Sequence, residues 1–194
     1  MKTTQDIINY LIELNGYSRF LEIGVRHNEG KMSIDHIKCE HRDGVDIMPG
    51  RCNYTMTSDQ FFEMISTDQT YDIIFVDGDH EKTQVLKDVE NSLKHLNPGG
   101  TILCHDINPP EEFYLATRYC NNCWEAWAEL RSTRPDLEMY ALNIDLGPGI
   151  IRKGTQDIYT DKIESTWSYL DANRKQLLNQ INLDEFITIF GEKK

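Results

Sequence analysis

Short apolar segments alternate with amphipathic helical patterns along the first hundred residues, and this alternation constrains the fold most. The segments RFLEIGV (19–25), YDIIFVD (71–77) and TILCHD (101–106) are rich in β-branched and aromatic residues, which is typical of strands buried on both faces. Residues 4–15 and 81–96 carry apolar residues at helical spacing. Strands that alternate with helices form right-handed crossovers and a parallel sheet. The sequence therefore predicts an α/β protein with a Rossmann-like, doubly wound sheet.

Further elements complete a sheet of seven strands. Brief strands are predicted at 42–47 and 53–57, and a short helix at 31–38. The segments 139–145 and 149–154 predict a C-terminal antiparallel hairpin, because Leu146, Gly147 and Pro148 lie between them. We expect one domain spanning 1–194, in which residues 155–194 form a helical extension.

Turn and cap residues predict where two of the helices begin and end. Ser58 has the right residue type to cap the helix SDQFFEMIS. The run Asn97-Pro98-Gly99-Gly100 is expected to end the helix that starts at residue 81. In a purely structural interpretation, His80 is the first residue of that same helix and Asp79 is its N-cap.

The net charge and the lack of long apolar runs argue against nucleic acid and membrane as partners. The net charge of −12 disfavours binding to nucleic acid. No apolar run approaches the length of a membrane span, and the first twenty residues do not resemble a signal peptide.

Five scattered cysteines predict reduced thiols and a cytoplasmic location. The pair Cys120 and Cys123 has the spacing of a redox or zinc half-motif, but a second pair is missing from the sequence.

Polar residues follow every predicted strand of the parallel part of the sheet. Ligands bind beyond the carboxyl ends of the strands in such sheets, so these residues are the candidate site. In strand order they are Glu22 and Gly24, then Asp46, then Ser58 and Asp59, then Asp77, Gly78, Asp79 and His80, and finally His105 and Asp106.

Five sequence motifs resemble those of a known family. They are FLEIGV, GVD, TSDQFF, YDIIFVDGDH and LNPGGTILCHD. They are similar to motifs of class I S-adenosylmethionine-dependent methyltransferases, and the resemblance is strongest to the macrocin O-methyltransferase-like group of small-molecule and glycan-associated enzymes. The resemblance spans about residues 19–154. It implies S-adenosyl-L-methionine as cofactor and a hydroxyl of a small molecule, sugar or glycan as methyl acceptor.

The resemblance also implies roles for single residues in cofactor binding. Glu22 and Gly24 would lie against the methionine part of the cofactor, and Asp46 would accept hydrogen bonds from the ribose hydroxyls. Ser58 and Asp59 would reach the adenine, and Asp77 would lie where donor and acceptor meet. The sequence departs from the family pattern at Asn28, where many relatives carry glycine.

The chemistry of methyl transfer predicts further roles at the ends of the fourth and fifth strands. Asp77, His105 and Asp106 offer two carboxylates and an imidazole for Mg, Mn or another divalent cation, which would lower the pKa of an acceptor hydroxyl. His80 lies three residues after Asp77, the spacing at which macrocin-type relatives carry the proposed general base.

Each candidate also has a purely structural interpretation. Asp46 could be a turn acid, Ser58 and Asp59 could serve only the start of a helix, and His105 could be a buried histidine bonded to backbone. Two other functions stay open: a non-catalytic S-adenosylmethionine-binding domain that serves a partner, and a nicotinamide-dependent oxidoreductase. A homo-oligomer is compatible with the sequence, which does not predict an oligomeric state.

Overall fold

One sheet forms the centre of the molecule. The structure, a computed structural model, describes residues 1–25 and 34–191. Within these ranges the sheet has eight strands: β1 (Arg19–Ile23), β2 (His41–Asp46), β3 (Tyr54–Thr55), β4 (Tyr71–Val76), β5 (Leu96–Cys104), β6 (Leu137–Leu142), β7 (Gly149–Lys153) and β8 (Gln180–Ile181). Their spatial order is β3-β2-β1-β4-β5-β7-β6-β8.

The direction of the strands confirms the predicted fold class. The strands β1 to β5 pair in parallel, whereas β7 is antiparallel to both β5 and β6. The sheet has one strand more than the seven predicted, because β8 interrupts the helical tail. It pairs with the end of β6 through Ala141 opposite Gln180 and Leu142 opposite Ile181.

Helices cover both faces of the sheet. They are α1 (Thr4–Asn15), α2 (Ser58–Met64), α3 (Lys82–Lys94), α4 (Cys123–Thr133), α5 (Trp167–Leu177) and α6 (Leu183–Phe190). The core on one face includes apolar residues of α3, α4 and α5. The core on the other face includes those of α1 and α6. No helix within the described ranges combines the length and apolar character needed to cross a membrane.

The predicted end of α3 at Asn97–Gly100 is wrong, since that run lies inside β5. The helix ends at Lys94, and β5 begins two residues later. Tyr71 pairs with Leu96, but the next pair joins Ile73 to Thr101, so the Asn-Pro-Gly-Gly run forms an irregularity in the ladder. The glycines are thus accommodated as a bulge and do not stop the helix.

The predicted cap of α2 and the structural alternative for the start of α3 are also wrong. Thr57, and not Ser58, is the N-cap of α2, because its hydroxyl accepts a hydrogen bond from the Gln60 backbone amide. Asp79 accepts from the Glu81 amide in the loop before α3. The helix itself begins at Lys82, so His80 is not its first residue. In the predicted helix 31–38, a 3₁₀ turn covers Ile34–His36, while 31–33 and Asn28 lie outside the described residues.

Candidate active site

A cavity of about 630 Å³ opens at the carboxyl ends of β1, β2 and β4. The strand order reverses between β1 and β4, and ligands of doubly wound sheets bind at such a reversal. Five of the six predicted cofactor residues line this cavity: Gly24, Asp46, Ser58, Asp59 and Asp77. The sixth, Glu22, is not among the lining residues.

Gly24 brings the ends of β1 and β4 close together. Its φ is +92°, and a Cβ at this position would lie 2.1 Å from the Asp77 carbonyl oxygen. The Gly24 amide donates to the Val45 carbonyl over 2.8 Å, and the Asp77 amide donates to the Ile23 carbonyl over 2.9 Å. A side chain cannot be inserted here without moving backbone.

Glu22 is a buried acid of β1, two residues before Gly24. It is 8% exposed. Burial, followed by the charges of Asp77, Asp35 and Asp46, raises the pKa of the Glu22 carboxyl to about 8. The side chain is therefore largely protonated at neutral pH, and a cationic group brought near it would favour the charged form.

Gln84 of α3 lines the same cavity and connects several polar side chains by hydrogen bonds. Its Nε2 lies 3.2 Å from Ser58 Oγ, 3.2 Å from Asp59 Oδ1 and 3.0 Å from Asp88 Oδ1. Asp88 is buried, and burial raises its pKa to about 6. The sequence interpretation missed this network, although Gln84 and Asp88 are four residues apart on one face of a helix.

Asp46 and Asp59 already have protein partners at the cavity. One oxygen of Asp46 accepts from the Met48 amide over 2.8 Å, within the loop that follows β2. Asp59 forms an ion pair with Lys87 over 3.3 Å. The hydrogen bond from Gln84 is the main cause that lowers the Asp59 pKa. Both carboxylates stay at the cavity wall, where a ligand can share them.

Two aspartates and two histidines converge where β4 and β5 end. His80 Nε2 lies 3.4 Å from Asp77 Oδ1 and 3.2 Å from Asp106 Oδ2. His105 Nδ1 lies 3.5 Å and 3.3 Å from the same two oxygens. The pairing of Val76 with Cys104 explains the convergence, because it places the two strand ends side by side. All four predicted residues therefore come together.

The surroundings of both imidazoles favour their charged forms. Burial lowers the pKa of His80, but the Asp77 and Asp106 carboxylates outweigh burial and the pKa is raised. Burial also opposes the charge on His105, yet Asp77, Asp106 and Asp145 raise its pKa well above the usual value. The Nδ1 atom of His80 contacts the Tyr119 carbonyl oxygen. A carbonyl only accepts, so Nδ1 carries a proton and Nε2 faces the carboxylates.

Asp145 is a further member of this cluster that sequence reasoning missed. It follows β6 in the hairpin, and its φ is +44°. Its Oδ2 accepts from the Thr4 amide and hydroxyl, each over 2.9 Å, and lies 3.9 Å from His105 Nε2. The nearby His105 imidazole is the main cause that lowers the Asp145 pKa to about 2.

Three of these residues fit a divalent cation. Among the described residues, one oxygen each of Asp77 and Asp106 and one nitrogen of His80 lie within 4.8 Å of one another. Two carboxylates and an imidazole form a donor set suited to Mg or Mn. A ligating histidine commonly donates its other nitrogen to a carbonyl, as His80 does. His105, the histidine predicted as a ligand, is not in this group, so that role stays a prediction.

The segment after β5 places its aromatic residues in two different environments. Trp124 and Trp127 are buried in the core, and the Trp127 indole donates to the Leu178 carbonyl over 3.0 Å. Their rings are therefore enclosed by protein and are not open to a ligand. Phe113 is 57% exposed, and its ring lies 5.0 Å from that of Tyr119. Arg131 is buried and donates to the Asp157 carbonyl.

Comparisons with known proteins agree with this geometry. Residues 19–107 match the model of a family described as a methyltransferase domain. An O-methyltransferase of Bacillus cereus, solved in complex with S-adenosylhomocysteine, has a TM-score of 0.56 at 17% identity, over 76% of this chain and 78% of that chain. The chain has the fold of a class I methyltransferase.

Other matches extend the comparison. A candidate caffeoyl-CoA O-methyltransferase of Staphylococcus aureus has a TM-score of 0.58 at 19% identity, over 78% of this chain and 83% of that chain. An uncharacterized protein of Sinorhizobium fredii is 34% identical over 70 residues, a match that covers 36% of this chain and only 7% of that protein. The solved structures share the fold, and the matched domain is described as that of a methyltransferase, the class that the sequence motifs resemble.

Proposed function

We propose that the protein transfers a methyl group from S-adenosylmethionine to a hydroxyl of a small molecule or sugar, with His80 as general base. The observation that carries the proposal is the position of His80. Its ring lies beside Asp77, which lines the cavity at the strand reversal, and beside Asp106 at the end of the neighbouring strand. The matched methyltransferase domain covers His80 as well as both aspartates.

The cavity wall supplies groups that suit the parts of S-adenosylmethionine. Gly24 lines the cavity beside Asp77, and Asp46 can accept hydrogen bonds from the ribose hydroxyls. Glu22 is buried two residues before Gly24 and would pair with the ammonium of the methionine part. Ser58 and Asp59 also line the cavity, and the adenine would bind beside them. The solved methyltransferases with bound S-adenosylhomocysteine support this choice of cofactor.

His80 is suited to accept the proton of an acceptor hydroxyl. Its Nδ1 is committed to the Tyr119 carbonyl, so the Nε2 lone pair is the basic position. Asp77 and Asp106 lie next to Nε2 and stabilise the imidazolium that forms once the proton is taken up. The same carboxylates raise the pKa of His80, so the free base becomes abundant only as the pH rises.

Asp77, His80 and Asp106 would also hold a divalent cation, and such an ion would lower the pKa of the acceptor hydroxyl. Nε2 of His80 has a single lone pair and cannot bind an ion and accept a proton at once. Experiment must therefore separate these two roles of His80.

The test has two stages. Calorimetric titration with S-adenosylhomocysteine and, separately, with NAD establishes the cofactor. We expect binding of the former alone, and binding of NAD alone would favour the oxidoreductase. Release of S-adenosylhomocysteine is then measured with a panel of hydroxylated small molecules and sugars, with and without chelator. Cofactor binding without turnover on any acceptor class would favour the non-catalytic domain.

A further inference from the structure

The segment Tyr119–Cys123 contacts the loop that carries His80 at several points, and we call it the clamp segment. Asn122 Oδ1 accepts from the Lys82 amide over 2.6 Å, and its Nδ2 donates to the Glu81 carboxylate over 3.3 Å. Cys123 Sγ lies 3.7 Å from the His80 carbonyl oxygen. These contacts join residues about forty positions apart and hold the backbone that follows Asp77.

Cys120 of the clamp segment contacts the second candidate carboxylate. Its thiol, fully buried, lies 3.2 Å from Asp106 Oδ1. A thiol can donate one hydrogen bond, and a carboxylate only accepts. With Oδ1 engaged by the thiol, Oδ2 is the oxygen that faces His80 and His105. The thiol therefore fixes the orientation of the Asp106 carboxylate relative to the imidazoles.

Asp106 needs such support because its backbone is strained. Its φ of +61° is in the left-handed region, which non-glycine residues adopt at a cost of roughly 1–2 kcal/mol. The side chain is 2% exposed, so water offers it little alternative bonding. Strained conformations of this kind persist only where surrounding contacts fix them.

The clamp segment orients the His80 ring as well. The Tyr119 carbonyl accepts from His80 Nδ1, and the Cys120 amide that follows donates to the Tyr114 carbonyl over 2.9 Å. One short segment thus binds Nδ1 of the histidine and Oδ1 of the aspartate. The two remaining atoms, Nε2 and Oδ2, are thereby turned toward each other at 3.2 Å.

We propose that Cys120 is a positioning residue for the candidate active site, and that the CNNC motif serves this purpose and not as a metal or redox centre. The thiol fixes Asp106, while the rest of the clamp segment fixes His80. The inference rests on the proposed function, because it assigns a purpose to residues placed in the site there.

The first test compares Cys120→Ala with Cys120→Ser in the full chain. Serine keeps a donor of similar size, whereas alanine removes it. Binding of Mn²⁺, followed by electron paramagnetic resonance, should weaken about tenfold or more in Cys120→Ala, as expected when a partner of a metal ligand is lost. Cys120→Ser should stay within about threefold of the wild type. Equal weakening in both variants would overturn the inference, because the thiol would then act through packing alone.

Cys39→Ala is the matched control. Cys39 is also a buried free cysteine, but it packs on the other face of the sheet and its thiol lies 3.7 Å from the Tyr17 carbonyl oxygen. This variant should bind Mn²⁺ as the wild type does. A loss comparable with that of Cys120→Ala would mean that removal of any buried thiol disturbs the site, and would also overturn the inference.

A second measurement needs neither metal nor acceptor. Each variant removes one S–H stretching band from the infrared spectrum, so Cys120→Ser identifies the band of Cys120 and Cys39→Ala that of Cys39. The Cys120 band should lie at lower frequency, because a hydrogen bond to a carboxylate is stronger than one to a carbonyl. An equal or higher frequency would overturn the role of Cys120. If the wild type binds no Mn²⁺, the metal part of the proposed function fails, and the infrared result alone decides the inference.

Discussion

Replacing Gly24 by alanine tests how closely β1 and β4 approach at the edge of the cavity. The new Cβ would lie 2.1 Å from the Asp77 carbonyl oxygen and 2.7 Å from Gly78 Cα, so backbone must move. Forcing extra volume into packed structure costs roughly 1–3 kcal/mol. The positive φ of +92° adds about 1–2 kcal/mol for a residue with a side chain. We expect the free energy of unfolding to fall by about 2–5 kcal/mol in total.

Gly16→Ala separates the two contributions. Gly16 also has a positive φ, +69°, as the C-cap of α1, but a Cβ there would meet nothing within 4 Å. This variant should show the conformational cost alone, about 1–2 kcal/mol. Urea denaturation of both variants, with linear extrapolation, gives the two free energies. In a chain of this size each kcal/mol shifts the melting temperature by roughly 2–4 °C.

Equal losses in the two variants would refute this reasoning, because they would show that the ends of β1 and β4 can separate at no cost. Titration with S-adenosylhomocysteine adds a functional readout. Gly24→Ala should weaken binding strongly, because Gly24 lines the cavity. Gly16→Ala should bind as the wild type does, since Gly16 lies outside that lining.

Three further predictions concern the proposed site. Asp46→Ala should weaken S-adenosylhomocysteine binding by roughly 1–3 kcal/mol, the cost of leaving ribose hydroxyls unpaired, and unchanged affinity in calorimetry would remove Asp46 from the site. His80→Ala should leave cofactor affinity nearly intact and lower turnover about 10²–10⁴-fold; the wild-type rate should fall as the pH drops through the raised His80 pKa. Chelator should abolish turnover and added Mn²⁺ restore it, whereas full activity in chelator would eliminate the metal.

The sequence predicts well those features that depend on local patterns. The apolar run of β4 and the helical spacing in α3 are contained in a few consecutive residues, and both elements lie close to where they were predicted. The rule that ligands bind beyond parallel strands then brings Asp77, His80 and Asp106 together without any knowledge of side-chain positions.

Features that depend on distant pairing could not be predicted in this way. The strand β8 exists because Gln180 meets Ala141, and a two-residue strand has no pattern of its own. Asp145 lies beside His105 and accepts a hydrogen bond from Thr4, which is 141 positions away in the chain. The role of Gln84 depends on the approach of α2 to α3, and that of Cys120 on the path of the chain after β5. Such contacts are set by tertiary packing, which the local sequence does not record.

Glu22 gives a prediction in which stability and binding are linked through one proton. The pKa of the buried carboxyl is raised from 4.5 to about 8. Below pH 4.5 the group is protonated in the folded and the unfolded chain alike. Between pH 4.5 and 8 the unfolded chain loses this proton while the folded chain keeps it, so stability falls as the pH rises. At about 1.4 kcal/mol per pH unit the loss is of the order of 5 kcal/mol over this interval.

Glu22→Gln should remove this part of the pH dependence, while Glu13→Gln, a change at an exposed position of α1, should keep it. Urea denaturation of the wild type and both variants between pH 5 and about 8 gives the free energy of unfolding at each pH. The difference between the wild type and Glu22→Gln isolates the contribution of Glu22 from that of the other titrating groups.

If the ammonium of the cofactor pairs with Glu22, binding should also expel the proton at neutral pH. Calorimetry in two buffers of different ionisation enthalpy detects that release, and Glu22→Gln should abolish it. If the wild type binds S-adenosylhomocysteine without releasing a proton, the ammonium of the cofactor does not pair with Glu22.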